Sequence, residues 1–545
     1  MTRPTTAALN LLAMNDTGKL ASGQGSSAPN SSYVMLVSLV VALGGFLMGF
    51  DSGVIGGVVE PIREGFILDS GQVGWAVACL TLGATLAMAV AGPLADRFGR
   101  RPVLMVTALL FTLSAAGSAW APTYDLLVWA RILGGFGVGG ALLIAPMYIA
   151  EIAPPEQRGK LVSFNQLNIV LGFSASFFSN YFINGAISED GAVTVDNAWR
   201  IMLGVETIPA ALYLGLLFLV PRSPRWLASR GREDEARSVL QRTAGEAAAA
   251  DALAKIQESL AKAAGASRTR LGDLFNSRMA RVMLIGLGLG FFQQITGINA
   301  IFYYAPTIFE MSGASRDSAL FQAIVVGLVN VAFTLLAMRL IDRAGRRPLL
   351  LMGTTLMALA LFTNAWCFQQ ATFTLTPEAA QALGEDAAAA LATVQGTPFG
   401  DQVAFGEAIK AAVAGLPEER VAAITGSIQD LAKGGLSIRG TLVLIAICLF
   451  IAGFAISLGP VMWAMFSEIF PQQVRGLAIS VAGFFNSAIS YLVQQLFPVG
   501  MDSLGPAIVF AVFGTFAVLA LLFTIFVVPE TKGRSLEELE AELVG

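Results

Sequence analysis

Histidine is absent from this chain of 545 residues, and charged residues are scarce. Without histidine there can be no histidine-ligated metal, Ser-His-Asp triad or imidazole relay, so proton chemistry must rest mainly on carboxylates. Asp, Glu, Lys and Arg make up 13% of the chain, about half the ~25% of an ordinary soluble domain. A soluble fold with so little charge could not cover its own surface. The composition therefore predicts an integral membrane protein.

Cysteine and net charge exclude further classes. The three cysteines, Cys79, Cys367 and Cys448, lie in apolar runs, so no disulfide framework is expected. The net charge of −4 and the lack of a basic domain argue against nucleic-acid binding. No nucleophile–base pair or metal cluster is visible in the sequence, so we expect neither an enzyme nor a bound metal or cofactor.

Apolar residues, at 55% of the chain, are the main positive signal. A membrane-spanning helix needs ~20 mostly apolar residues. Stretches that meet this length predict an all-α protein with twelve transmembrane helices, near 34–57, 72–95, 102–121, 124–149, 161–184, 199–220, 279–305, 320–341, 347–369, 438–466, 474–499 and 505–528.

Basic loop residues set the predicted orientation. Segment 222–281 has 12 Lys/Arg against 7 Asp/Glu, whereas segment 371–437 has 3 Lys/Arg against 8 Asp/Glu. Arginines also recur in the loops on the side of the first segment. We therefore expect both chain termini and the central linker in the cytoplasm, segment 371–437 outside, and a multi-pass protein of the inner (plasma) membrane.

Two motifs repeat along the chain. The stretch Asp96–Pro102 (DRFGRRP) recurs as Asp342–Pro348 (DRAGRRP), at an offset of 246 residues. Glu151 with Arg158 recurs as Glu468 with Arg475, at an offset of 317 residues. The offsets differ by about the length of segment 371–437, which predicts that this segment is an insertion. Parallel duplication of six spans is an architecture of transporters.

These observations divide the chain into a few predicted units. They are a disordered polar tail at 1–33, a first six-helix half at 34–221, a cytoplasmic helical linker at 222–278, a second half at 279–528 that contains an extracytoplasmic helical insertion at 371–437, and a cytoplasmic tail at 529–545.

The motifs resemble the major facilitator superfamily, and specifically its sugar porter family. The resemblance rests on the order of several short stretches: GFLMGFD at 45–51, the two DRxGRRP loops, PRSPRW at 221–226, QQITGIN at 293–299, GPVMW at 459–463 and PETKGR at 529–534. It is greatest to bacterial proton–sugar symporters of the xylose-transporter type. It implies twelve helices in two six-helix halves and sugar transport by alternating access.

Asp51 is the first candidate for proton coupling. It lies deep in the first predicted span, where a charge costs at least ~2.5–3.5 kcal/mol, so a functional role is the default. Arg131 in span four is its expected partner, and the alternative is a permanently neutralised structural pair. Related symporters carry an Asp at this position. Glu206 in span six is a second candidate, which could instead serve helix packing.

Sugar binding requires side chains that donate and accept hydrogen bonds, together with an aromatic face. Amides inside spans have this property, although interhelical hydrogen bonding is the alternative for each of them. The Gly459-Pro460 pair predicts local unwinding of span ten, and Gly297 permits a break that lets Gln293 and Gln294 line one cavity. With the resemblance, the candidate sugar ligands are Gln166, Gln293, Gln294, Asn299, Tyr304, Asn330, Gly459, Trp463 and Asn486.

Charged residues of the cytoplasmic loops form a third set. They could serve only as orientation signals, but their repetition with paired acids favours a second role. In the family such residues form inter-helix ion pairs that close the cytoplasmic side in the outward state. The candidates are Asp96, Arg97, Arg101, Glu151, Arg158, Arg343, Arg347, Glu468 and Arg475.

The sequence thus favours a proton-coupled monosaccharide symporter for hexose or pentose uptake. A facilitative sugar uniporter is the nearest alternative, and a non-transporting sugar sensor is a third. The expected partners are a monosaccharide, a proton and the lipid bilayer, and we expect a monomer.

Overall fold

The computed structural model describes residues 31–154, 157–189, 191–265, 271–400 and 402–544. Most of the predicted tail at 1–33 lies outside these ranges. The first half consists of helices α1 (Ser31–Val54), α2 (Val59–Phe66), α3 (Ser70–Phe98), α4 (Arg100–Trp120), α5 (Tyr124–Ile152), α6 (Arg158–Gly185), α7 (Ala198–Gly204) and α8 (Thr207–Leu217). The linker forms α9 (Pro224–Ser229), α10 (Glu233–Ala244) and α11 (Glu246–Gly265).

The second half continues the helical pattern and contains the insertion. Its elements are α12 (Ala280–Ile295), α13 (Ile298–Tyr303), α14 (Ala305–Met311), α15 (Arg316–Ala344), α16 (Arg346–Gln369), β1 (Thr372–Phe373), α17 (Pro377–Ala382), α18 (Glu385–Ala390), α19 (Gln402–Val413), α20 (Glu418–Gly426), α21 (Ile428–Gly434), β2 (Leu436–Ser437), α22 (Gly440–Ile456), α23 (Leu458–Ile469), α24 (Arg475–Ser503), α25 (Pro506–Phe526) and α26 (Leu536–Val544).

Within the described residues, eleven segments are long and apolar enough to cross a membrane. Each corresponds to one of the predicted spans. The remaining prediction, near 161–184, falls on α6, a helix of 28 residues. This helix packs tightly on α1, because a Cβ on Gly49 would meet the backbone of Ile169 and one on Gly172 would meet the backbone of Phe46.

Several spans are interrupted rather than continuous. Helix α12 ends at Ile295, Gly297 adopts a left-handed conformation with φ of 89°, and α13 begins at Ile298. Helix α22 ends at Ile456, and α23 begins at Leu458 after Ser457, whose ψ is −101°. Such breaks free backbone groups inside a membrane protein only where protein or a cavity satisfies them. The break that Gly297 permits is therefore present, and the second break lies just before Gly459.

The insertion is a small folded unit with its own apolar core. Leu391, Phe405 and Ile409 are fully buried in this core. Strands β1 and β2 pair in antiparallel fashion at its base, where the chain enters and leaves. The sequence predicted only helices here, because two-residue strands are too short to show an alternating pattern. On the surface of this unit, Arg420 pairs with Asp386 at 2.6 Å.

Two ends of the helical body can be distinguished. We call the end with the two DRxGRRP loops the basic end, and the opposite one, with segment 371–437, the insertion end. The two halves share one apolar core at the insertion end, where Phe173 of α6 packs against Phe302 and Tyr303 of α13 at ring distances of 5.1 and 6.2 Å. Toward the basic end the first half has a separate core of its own.

Polar contacts between the halves also lie at the insertion end. Arg63 of the first half pairs with Asp502 of the second at 2.9 Å, and Asn184 donates to Asp317 at 2.5 Å. Arg316 also donates to the Gly57 carbonyl. The halves are therefore joined at the insertion end, which is the arrangement of a transporter closed on that side.

Candidate functional site

A buried ion pair lies inside the first half. Asp51 on α1 and Arg131 on α5 approach to 3.3 Å, and each is less than 5% exposed. The guanidinium also donates through Nε to the Ala76 carbonyl of α3, at 2.9 Å. Gly134 makes room for the pair, since a Cβ there would lie 3.1 Å from Asp51 Oδ2. The predicted partnership of Asp51 with Arg131 is therefore present.

Glu206 is buried at the junction of α7 and α8. It is 3% exposed, and its Oε1 atom has no hydrogen-bond partner among the residues that the structure describes. An unpaired carboxylate oxygen in the interior is costly if the group is charged. Its place near the Asp51–Arg131 pair keeps it a candidate proton carrier, whereas a purely structural Glu would normally have its oxygens bonded.

Four of the predicted sugar ligands form one hydrogen-bonded group, which we call the amide network: Gln293, Gln294, Asn299 and Asn486. Gln294 donates to Gln293 Oε1 and to Asn486 Oδ1, both at 3.2 Å, and accepts from Asn299 at 2.9 Å. Asn486 donates to Gln293 Oε1 at 2.7 Å. The breaks in the spans assemble this group, because Gln294 and Asn299 lie on opposite sides of the Gly297 turn.

The second break contributes a backbone acceptor to the same group. Gln293 donates through Nε2 to the Leu458 carbonyl at 3.1 Å. Gly459 therefore borders the network through its neighbour in the chain. The predicted unwinding of span ten thus supplies a hydrogen-bond partner, although the kink itself lies at Ser457.

The other predicted sugar ligands occupy separate places. Gln166 of α6 is exposed, and Trp463 of α23 is 42% exposed with its ring 5.6 Å from that of Phe466. Exposure is what a donor or a stacking face needs in order to meet a ligand. Tyr304 is fully buried and reaches only the edge of the network, where its hydroxyl donates to the Gln494 carbonyl at 3.5 Å. Asn330 is buried in α15, on a different helix from the members of the network.

Two polar residues beside the network were missed by sequence reasoning. Ser490 accepts from Asn299 and from Gln494, both at 2.7 Å, and Gln494 is completely buried. A signal was present, because Asn486, Ser490 and Gln494 follow one another at spacings of four and therefore share one face of α24. A polar stripe of this period in an apolar helix indicates an interior site.

The repeated charges at the basic end form two equivalent clusters. Arg100 pairs with Glu151 at 2.9 Å, and Arg346 pairs with Glu468 at 2.8 Å. A hydroxyl completes each cluster: Ser223 donates to Glu151 at 2.5 Å, and Thr531 donates to Glu468 at 2.6 Å. Each cluster ties together elements of one half.

The arginines selected from the sequence are therefore not the ones that pair with the glutamates. Arg101 donates to the carbonyls of Leu217 and Phe218, and Arg347 donates to those of Thr524 and Ile525. Among the described residues these two arginines bond helix carbonyls rather than carboxylates, because the last carbonyls of a helix lack intrahelical partners and attract cationic donors. The ion pairs predicted for the outward-facing state stay a prediction.

The remaining charged candidates make weaker contacts. Asp96 is mostly exposed and pairs with Arg100 at 3.0 Å, and Arg97 lies over the ring of Phe98. The Arg343 carbonyl accepts from Lys532, and Arg475 donates to the Phe470 carbonyl. The side chain of Arg158 lies outside the described residues.

Comparison with known proteins accounts for the fold. The chain matches the family described as "Sugar (and other) transporter" over residues 37–392 and 419–543. The chain belongs to this sugar transporter family. As a transporter it is not an enzyme, and the fold is that of the major facilitator superfamily. The matched range covers both halves and the linker, and it omits part of the insertion.

Curated relatives of this sugar transporter align over nearly their whole length. The D-xylose-proton symporter of Escherichia coli (strain K12) is 35% identical, covering 94% of this chain and 96% of the relative. The arabinose-proton symporter of Bacillus subtilis (strain 168) is 33% identical, covering 93% and 94%.

Solved structures give the same result. The transporter resembles the inward-open xylose transporter XylE of E. coli with a TM-score of 0.72 at 32% identity, covering 94% of this chain and all of XylE. The proton:xylose symporter XylE bound to 6-bromo-6-deoxy-D-glucose gives 0.67 at 34% identity over the same shares.

Proposed function

We propose that this transporter is a proton-coupled monosaccharide symporter that works by alternating access. The single observation that carries the proposal is the buried Asp51–Arg131 pair, placed in the half opposite to the amide network. The network offers groups that bind a sugar, and the pair offers a carboxylate that can take up a proton. Its relatives, a D-xylose-proton symporter and an arabinose-proton symporter, support this reading.

Asp51 is the proposed proton-binding group. Protonation would neutralise its carboxylate and remove the charge attraction to Arg131, whose other described contact is the hydrogen bond to the Ala76 carbonyl. Breaking one side of a buried ion pair is energetically large, so this step is able to change the relative stability of the two transport states. Glu206 is the second proposed proton site.

The proposed sugar site joins the amide network to Gln166 and Trp463. A sugar hydroxyl donates and accepts at once, so it can replace an amide–amide hydrogen bond without leaving either group unpaired. The exposed Trp463 ring supplies a face for the apolar side of the sugar. Tyr304, Asn330 and Gly459 are proposed to shape the site around these groups.

The basic end is proposed to face the cytoplasm, together with both chain termini. The structure closed at the insertion end then corresponds to the inward-facing state. The clusters of Glu151 and Glu468 would hold each half rigid at the cytoplasmic side, and Asp96, Arg97, Arg101, Arg158, Arg343, Arg347 and Arg475 are proposed to complete the contacts there in the outward-facing state. A monomer in the lipid bilayer is the proposed functional unit.

Uptake into proteoliposomes with an imposed inward proton gradient tests the proposal. We expect the wild type to accumulate a radiolabelled monosaccharide above its external concentration, and a protonophore to abolish the accumulation. D-xylose, L-arabinose and D-glucose would be compared as substrates. Asp51→Asn should still exchange sugar across the membrane but fail to accumulate it, because the amide mimics the protonated carboxyl and cannot release a proton.

Asp125→Asn is the matched control, because Asp125 is an exposed carboxylate on α5, the helix that carries Arg131. This variant should accumulate sugar as the wild type does. Equilibration without accumulation by the wild type would identify a facilitative uniporter instead. Gradient-driven accumulation by Asp51→Asn would move the proton site to Glu206.

A further inference from the structure

The amide network does not end within the second half. Asn299 donates to Ser490 Oγ, and Gln494 donates to the same oxygen, each at 2.7 Å. Thr81 of the first half then donates to Gln494 Oε1 at 2.8 Å. One continuous set of hydrogen bonds therefore leads from a proposed sugar ligand across the boundary between the halves.

Gln494 is held at both ends of its amide. Its Nε2 atom is bonded to Ser490, its Oε1 atom is bonded to Thr81, and the residue is completely buried. A buried amide that loses one of these partners is left with an unsatisfied polar atom, so its side chain must reorient. The position of α3 therefore influences how Gln494 presents itself to Ser490.

The same helix α3 is bound to the proton-binding pair. Arg131 donates to the Ala76 carbonyl, five residues before Thr81, while its other side contacts Asp51. Ala76 and Thr81 belong to one unbroken helix, Ser70–Phe98. A change in the hydrogen bond from Arg131 to the Ala76 carbonyl is thus transmitted to Thr81 along a rigid helix.

We infer that Thr81 and Gln494 are positioning residues that couple the state of the Asp51–Arg131 pair to the amide network. The inference deepens the proposed symport and rests on it. When Asp51 is neutralised, the hydrogen bond from Arg131 to the Ala76 carbonyl of α3 changes, and Thr81 moves relative to Gln494. Gln494 then alters the hydrogen bonds that Ser490 accepts. Because Asn299 also donates to Ser490, this changes whether the Asn299 amide is available to donate to a sugar.

The link belongs to the state closed at the insertion end. Three further contacts join α3 to α24 above it: Gly74 lies against the Gln495 backbone, Gln495 donates to the Gly71 carbonyl, and the rings of Trp75 and Tyr491 meet edge to face at 6.3 Å. Opening that end would separate the two helices and break the Thr81–Gln494 bond. The network would therefore differ between the two transport states.

Titratable groups surround Asp51, but neither Thr81 nor Gln494 is one of them. The groups facing the carboxylate from the neighbouring elements are Arg131 of α5, Cys79 of α3, Glu206 between α7 and α8, and Tyr303 of α13. Thr81 is not titratable, but its hydroxyl also contacts the Tyr303 hydroxyl. Gln494→Met leaves that contact in place, so an effect shared by Thr81→Val and Gln494→Met would come from the Thr81–Gln494 hydrogen bond.

A double-mutant cycle on sugar affinity tests the inference. D-xylose, or whichever sugar the purified wild type accumulates best, would be titrated into wild type, Asp51→Asn, Thr81→Val and the double variant. We expect Asp51→Asn to change the dissociation constant at least about fivefold in the wild-type background, the lower end of allosteric coupling. In the Thr81→Val background, the ratio of the dissociation constants with Asn and with Asp at position 51 should fall to within about twofold.

Two variants distinguish the link from simple packing. Thr81→Ser retains the hydroxyl and should restore the wild-type ratio. Thr85→Val removes a buried hydroxyl one turn further along α3, which donates to the Thr81 carbonyl of its own helix, and should leave the ratio unchanged. Gln494→Met removes the amide at similar length and should reproduce the effect of Thr81→Val, which covers the case in which that variant fails to fold.

The outcomes separate the two claims. If Asp51→Asn changed the dissociation constant in Thr81→Val and in Gln494→Met as much as in the wild type, the link would be overturned. Gradient-driven accumulation by the wild type would in that case still support the symport. An Asp51→Asn variant that leaves affinity unchanged and still accumulates sugar would remove Asp51 from proton coupling, and the link would fall with it.

Discussion

Gln293 and Gln294 each use both ends of their amides on neighbouring side chains or on a freed backbone carbonyl. Inside a membrane protein an unpaired amide is costly, so these residues are oriented before a ligand arrives. In the proposed site, a sugar would exchange hydrogen bonds with this preorganised group. Gln166 and Trp463 have exposed faces, so they are the proposed ligands that would gain new contacts on binding.

Trp463→Ala and Gln166→Ala should each weaken sugar binding by roughly tenfold or more. Loss of a buried hydrogen bond or a stacking face costs ~1–3 kcal/mol, and 1.4 kcal/mol is a factor of ten. Isothermal titration calorimetry on the purified variants measures the effect. Trp129→Ala, which removes a tryptophan 67% exposed on α5, is the control and should bind as the wild type does. Unchanged affinity in either test variant would remove that residue from the site.

At the scale of elements, two features outside the regular helices determine what the helices can do. The left-handed Gly297 lets α12 and α13 present Gln294 and Asn299 to each other. At the basic end, the carboxylate of Glu530 accepts from the backbone N–H groups of Arg346 and Arg347, so it closes the N-terminus of α16 from the chain after α25.

Gly297→Ala should destabilise the protein and weaken sugar binding together. A left-handed conformation costs a residue with a Cβ ~1–2 kcal/mol, and here the Cβ would also strike the ring of Phe513. Thermal unfolding and sugar titration on the same sample would show both effects. Gly290→Ala, in the regular part of α12 with its nearest neighbours at 3.5 Å, should be tolerated. A normal affinity in Gly297→Ala would mean that the turn does not position Asn299.

Glu530→Ala should lower the stability of the protein by about 0.5–2 kcal/mol at neutral pH, the usual value of a helix cap. Partial burial raises the pKa of Glu530, but the backbone N–H groups of Lys532, Arg346 and Arg347 outweigh it and hold the pKa below its usual value. The stabilisation is therefore present above the unfolded-state pKa and is lost as pH falls through the lowered folded-state pKa.

Thermal unfolding of the purified protein over a pH series measures this difference. The gap in melting temperature between wild type and Glu530→Ala should be full at pH 7 and shrink in the acid range below the ordinary pKa of a glutamate. Glu540→Ala, an exposed carboxylate on α26, should differ little from the wild type at any pH. A gap that persists in acid would show that the carboxylate charge is not what stabilises the α16 terminus.

At the scale of the whole molecule, the two halves share an apolar core at one end, and the insertion has a core of its own. The halves meet through that shared core and the Arg63–Asp502 ion pair at the insertion end, whereas the clusters at the basic end act within each half. This division is what alternating access requires, because rigid halves must be able to separate at one end while they close at the other. The insertion adds a third, self-contained core.

Deletion of segment 371–437 should therefore leave transport largely intact. Its strands β1 and β2 bring the two ends of the segment side by side, so a short Gly/Ser linker can join Gln370 to Ile438 without moving α16 or α22. Sugar uptake, normalised to the amount of protein in the membrane, measures the result. Lost uptake at normal membrane levels would show that the insertion belongs to the gate or the substrate path.

The sequence alone determined the membrane character, the twofold repeat, the family and the identity of the Asp51–Arg131 pair. These follow from composition, period and motif order, which are local or additive properties of the chain. It also indicated which amides would need hydrogen-bond partners, because a polar side chain in an apolar span is costly wherever the span packs.

Only the tertiary structure decided which of these groups meet. The assignment of Arg100 and Arg346 to the glutamates, and of Arg101 and Arg347 to helix carbonyls, depends on the direction in which neighbouring side chains leave their helices. The link from Thr81 to Gln494 spans 413 positions of the chain. Such pairings are fixed by how the two halves pack, and no local pattern in the sequence records that packing.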